Sequence, residues 1–313
     1  MIERSCLRQS LKSFRILPLR FSLEAIDSVS FEHEMLRGYI WKSAIGVALR
    51  KYCCFYQYEP TKPCDCDLKD TCLAFHWHPA KDHETQRKED TPKPYVMKFP
   101  SHGKVINAPG EIFEIDILLL GRVCAEDNKL INAMQGLGRD GIGKGRGRFR
   151  IVKVIDGDSL SCEVIFKKRC SGRENFLIEM VSPHTIKNKN KVVKEGLTFH
   201  VFFESLLNRI INLNRLHGHG DRPDKGSVDL EKKTLIQRAE SVKYAAFTEW
   251  REPPDYLLEN SKNKEKKGLV GILKCEGDMK LFYPYLKLGE YLGVGNSTTQ
   301  GYGSYRFYKL VAA

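Results

Sequence analysis

Near the end of this 313-residue chain, Gly293, Gly295, Gly301 and Gly303 stand in the spacing GxGxxxxxGxG. Glycines so spaced let a backbone turn through positive φ and bring bare N–H groups to a phosphate that a side chain would hold off. With Asn296, Ser297 and Thr298 beside them, they would serve a plain helix-to-strand turn equally well. The order helix, loop, strand excludes dinucleotide-binding and P-loop readings, whose loops follow a strand and open a helix. A second run, GLGRDGIGKGRG at 136–147, leads into charge: Arg139, Lys144, Arg146, Arg148 and Arg150 fall within twelve residues, opposed only by Asp140. Phosphates between such cations would relieve their repulsion, release counterions and make binding salt-dependent, whereas a solvated basic loop would do neither. A third constellation sets Cys53, Cys54, Cys64, Cys66 and Cys72 near His76 and His78. Cys54, Cys64, Cys66 and Cys72 would close a tetrahedral structural zinc site and stabilise a segment with little apolar content. C-x-C is tight for two ligands of one ion, so free thiols or a bridge stand beside that reading.

The elements that must position these groups follow from periodicity. Alternation predicts a strand over 14–25, and Leu36, Ile40, Ala44 and Val47 share one face of a helix over 34–52, leaving Arg37 and Lys42 free to look elsewhere. Periodicity lapses over about 53–94, an insertion rich in cysteine and histidine. Strands at 95–99 and 112–120, a helix at 126–135, the charged glycine run and a strand at 148–155 complete the first half. The second half reads as strands at 160–166 and 175–181, then a helix at 197–216 striped by Phe199, Phe202, Leu206, Ile210 and Leu213. Strands at 243–250 and 269–275, a short helix at 279–292, the glycine loop and a strand at 304–310 follow. Both halves thus end alike, GIGKGRGRFRI paralleling GVGNSTTQGYGSYRF. The expectation is an α+β chain of two tandem ferredoxin-like (RRM-like) domains, 1–156 and 157–313, with the Cys-rich insertion in the first. Lys plus Arg total 51 against 39 Asp plus Glu, a net charge of +12 that favours a polyanionic partner over an acidic small substrate. No run approaches the roughly 18 apolar residues of a membrane span, and MIERSCLRQSLKSF lacks the apolar core of a secretion signal. The expectation is a cytoplasmic protein with reduced thiols and no membrane partner.

The C-terminal GxGxxxxxGxG ahead of a final strand resembles the signature of the RAMP-superfamily CRISPR-associated endoribonucleases that process precursor crRNA. MLRG at Met35–Gly38, the cysteine-rich insertion behind that helix, GIGKGRGRF at Gly141–Phe149 and PYLKLGE at Pro284–Glu290 agree with it. The resemblance implies two ferredoxin-like domains and metal-independent transesterification of repeat RNA, leaving a 2′,3′-cyclic phosphate. It implies no cofactor for catalysis, and as partners CRISPR repeat RNA, crRNA and other CRISPR effector subunits. Cutting RNA through its own 2′-OH needs a base, an acid, and a cation or N–H donors for the phosphorane charge. The family places its catalytic histidine near the first helix, which offers His33 ahead of it, His76 and His78 behind it, and Lys42 on it for positive charge. Support from two regular elements ranks His33 first. Arg37 is an RNA or structural contact, while Arg139, Lys144, Arg146, Arg148 and the glycines 293, 295, 301 and 303 form the RNA surface. The alternative is a RAMP subunit that holds crRNA and cuts nothing, because fold alone does not establish catalysis.

Overall fold

The computed structural model describes residues 5–54, 67, 71–77, 92–100, 104–167, 173–219, 224–252 and 267–310. They divide into two compact units, one of residues 16–159 and one of residues 1–15 with 160–313. The short helix α1 (Cys6–Leu11) therefore goes with the second unit, where Leu7 N donates to Glu231 Oε2 at 3.1 Å and Asn214 Nδ2 to Ser10 Oγ at 2.9 Å. Of the expected insertion over 53–94, residues 53–54, 67, 71–77 and 92–94 are described.

The first unit runs β1 (Arg15–Ala25), α2 (Glu34–Cys53), α3 (Leu73–Trp77), β2 (Tyr95–Lys98), β3 (Ile112–Leu120), α4 (Asp127–Asp140) and β4 (Phe149–Asp156). Its antiparallel sheet has the order β2–β3–β1–β4, the ferredoxin-like arrangement. Alternation along β1 buries Leu17, Leu19, Phe21, Leu23 and Ala25. Trp41 of α2 fills the centre, its ring 5.5 Å from Phe149 and 6.3 Å from Phe31. Of the expected stripe, Leu36 is buried and Ile40 and Ala44 pack against the core, but seating the indole favours Ile45, Ala48 and Leu49 and leaves Val47 63% exposed. Arg37 is likewise buried.

Helix α4 extends to Asp140, five residues past the expected end, because Gly136 and Gly138 belong to it and not to the loop. A methyl group on Gly136 would collide with the Tyr52 ring of α2, so the missing side chain lets two helices approach closely. Gly136→Ala is expected to destabilise the protein by about 1–3 kcal/mol through overpacking, measured by denaturant unfolding, despite alanine's higher helix propensity.

The second unit contains α5 (Cys162–Lys167), β5 (Arg173–His184), α6 (Phe199–His217), α7 (Lys225–Glu240), β6 (Lys243–Arg251), β7 (Gly268–Asp278), α8 (Tyr283–Leu292) and β8 (Tyr305–Leu310). Its antiparallel sheet order, β6–β7–β5–β8, repeats that of the first unit. Phe199, Phe202, Leu206, Ile210 and Leu213 of α6 are all buried, as the stripe implied. Phe199 and Phe203 meet Phe282 edge-on at 5.3 and 4.9 Å. The expected strand over 160–166 is instead mostly helix, with Cys162 and Ile165 buried one turn apart. Helix α7 gave no periodic signal because it buries only Val228, Leu235 and Ala239, and Asp224 starts it by accepting from Ser227 N at 2.7 Å.

Candidate active site

Helix α2 begins at His33, whose extended backbone and side chain make it the N-cap: Nδ1 accepts from Met35 N at 3.1 Å. The start of α2 thus fixes His33 as its cap. Nine residues further on, about 13 Å along the helix axis, lies Lys42, so the structure does not gather these two candidates. His33→Ala should cost about 1 kcal/mol of stability in denaturant unfolding, whereas His33→Asn keeps a capping acceptor and should cost less.

Around Lys42 a different set converges. Helix α3 packs on α2, with Trp77 Nε1 donating to Lys42 O at 2.8 Å and its indole stacked 3.8 Å from the Tyr95 ring. Lys93 Nζ donates to Trp77 O at 2.9 Å. Burial, and after it the positive charges of Lys42 and Arg50, pulls the Lys93 ammonium down to about 7. His76 precedes Trp77 on α3, its ring edge-on to Phe75 at 5.4 Å. Lys42, Arg50 and Lys93 thus share one neighbourhood, a grouping of cations in which burial and like charge pull Lys93 down to about 7. His78 lies outside the described residues. Sequence reasoning missed Lys93, because TPKPY at 91–95 reads as the close of a solvated insertion and nothing in it announces the cations of α2.

The candidate zinc ligands Cys64 and Cys66 also lie outside the described residues. Cys72 is within electrostatic reach of Cys53, and burial pushes both thiols up. Cys53 Sγ donates to Lys129 O at 3.1 Å, and Cys54 caps α2. Among the described residues no three His, Cys, Asp or Glu side chains gather in a metal-binding group.

The charged glycine run forms a tight turn between α4 and β4, pinned by bridges of Ile142 to Gly147 and of Ser30 to Lys144. Arg148 makes a two-pronged pair with Asp27 (2.7 and 3.2 Å) and Arg150 one with Glu24, while Lys51 meets Asp140 at 2.9 Å. The acids from the end of β1 therefore offset part of a charge run that looked unopposed. Lys144 and Arg146 are exposed at the tip, and no ion pair holds them among the described residues. Arg139 lies 5.5 Å over the Tyr52 ring. Arg37 takes the structural alternative, donating to Lys104 O at 2.9 Å with its guanidinium 4.5 Å from the Phe99 ring.

In the C-terminal loop Gly293, Gly295, Gly301 and Gly303 all have φ between 71° and 88°, the left-handed region that favours glycine. A Cβ on Gly303 would also collide with Val294 O, whose own N–H donates to Gly303 O at 2.8 Å. The amides of Gly293, Gly301 and Gly303 donate to Gly289 O, Thr298 O and Pro183 O. Of the four, Gly295 keeps its amide without a partner among the described residues. His184 lies beneath the loop with Nδ1 2.6 Å from Ser182 O, and burial holds its ring down at about 4, neutral and structural.

A family model described as an N-terminal domain, AF_1859_N, matches residues 14–178, and one described as CRISPR-associated endoribonuclease Cas6 matches residues 178–305. Among solved structures, a Cas6 product complex is similar at TM-score 0.57 and 15% identity, over 95% of this chain and 99% of that one. A partial Cas6-RT-Cas1–Cas2 complex reaches 0.59 at 12% identity, over 96% of this chain and 47% of that one. A Thermus thermophilus Cas6 gives 0.53 at 12% identity, over 95% and 99%. At these identities the likeness is one of fold. No curated protein matches the chain by sequence.

Proposed function

We propose that this chain, whose residues 178–305 match the CRISPR-associated endoribonuclease Cas6 model, cuts the repeats of precursor crRNA by metal-independent attack of a 2′-OH on the adjacent phosphate. The observation that carries this reading is the grouping of Lys42, Arg50 and Lys93 on and beside α2. In the proposed reaction neutral Lys93 takes the proton of the 2′-OH, and the 2′-oxygen bonds to phosphorus. Lys42 and Arg50 offset the charge that builds on the phosphorane. His76, or His78 near it in the chain, gives a proton to the departing 5′-oxygen. The products are a 2′,3′-cyclic phosphate and a 5′-hydroxyl. Lys144, Arg146 and the Gly295 amide hold the RNA backbone, and the product crRNA passes to other CRISPR effector subunits. His33, Arg37 and Arg148 support these elements without touching the reacting bond.

Purified protein mixed with repeat RNA in excess EDTA tests the reading. Cleavage at one site in the repeat is expected. Binding without cutting would assign the chain to the crRNA-holding subunits, and neither binding nor cutting would overturn the RNA reading altogether.

A further inference from the structure

We propose that the groove between the last turns of α4 and the edge strand β4 receives one unstacked nucleobase of the bound RNA. The inference rests on RNA being the ligand and is independent of the catalytic cluster. The groove has a volume of about 570 Å³, ample for a planar base. Its apolar lining comes from Ile26, Phe149 and Ile151, and Gln135 supplies an amide able to pair with a base edge. Arg139, Arg148 and Arg150 complete the lining.

A nucleobase has two apolar faces and a polar rim, and guanidinium planes stack on such faces while their charge attracts the flanking phosphates. The two-pronged pairs with Asp27 and Glu24 hold the Arg148 and Arg150 planes in fixed orientations. Those acids also reduce their charge, so the groove favours a base over a bare phosphate at these two positions. Arg139 has no acidic partner among the described residues and lies over Tyr52, so a base entering beside it would extend a stack of ring and guanidinium. Lys144 and Arg146, just before Arg148 in the chain and unpaired among the described residues, supply charge for the adjoining phosphates. Among the described residues β4 ends its sheet and pairs only with β1, an edge that a strand of RNA could approach.

The test is a set of repeat RNAs, each with one nucleotide made abasic, titrated against the full chain, Ile26→Glu and Arg139→Ala. Ile26 is 46% exposed, so a carboxylate there is compatible with folding and would disrupt the apolar lining. In the wild-type protein one abasic position is expected to weaken binding about tenfold or more, the loss of one stacked base. In both variants that same position should cost less than about threefold further, because the base has already lost its site. Equal losses at every position in variant and wild type would overturn the groove assignment while leaving the cleavage reading intact. Failure of the wild-type protein to bind any repeat RNA would overturn both.

Discussion

Lys93→Met is expected to slow single-turnover cleavage of repeat RNA at least about a hundredfold at saturating enzyme, with affinity changed less than about threefold. The expectation follows from the position of Lys93. Its ammonium is buried against Trp77 O and faced by Lys42 and Arg50, so the charged form is disfavoured and the group titrates at about 7. Below that pH it holds its proton and cannot accept another; above it the amine is free. The wild-type rate should therefore rise with pH through about 7 and then level, and the variant should lose that rising limb. Stability has its own sign. The folded lysine titrates well below the unfolded one at about 10.4, so between those values the unfolded chain binds more protons and stability rises with pH. Methionine removes the cost of burying that ammonium, so the variant should unfold at a higher temperature near pH 7 while cutting far more slowly. A functional group held at a cost to the fold produces that opposition, and a purely structural one does not. A variant that cuts at the wild-type rate would remove Lys93 from the reaction.

Much of the architecture was legible because burial imposes period. The stripe of α6 and the alternation of β1 carry their own cause in the sequence, and the repeated endings of the halves pointed to the two matching sheet orders. The departures have local reasons. Gly136 and Gly138 looked like loop residues, since a sequence cannot tell a glycine that turns a chain from one that lets Tyr52 approach a helix. Helix α7 buries too few side chains to show a stripe.

The site was less legible, because its members meet only through tertiary contact. The acids that hold Arg148 and Arg150 lie more than a hundred residues earlier, at Asp27 and Glu24, so the charge run looked freer than it is. His33 combined a suitable residue type with a place at the start of α2, where its side chain also caps the helix, a role its spacing did not announce. Lys93 carried no signal until α3 placed Trp77 between it and Lys42.

The most direct test replaces the 2′-hydroxyl at the scissile nucleotide of the repeat RNA with hydrogen, in the presence of excess chelator, and follows binding and cutting separately. A 2′-oxygen nucleophile predicts a substrate bound as tightly as the all-ribose repeat but left uncut over many half-lives of the normal reaction, while the all-ribose control yields a 2′,3′-cyclic phosphate end. Cleavage of the deoxy-substituted RNA at the normal rate would show that water or another group attacks the phosphorus, and would contradict the account at its centre.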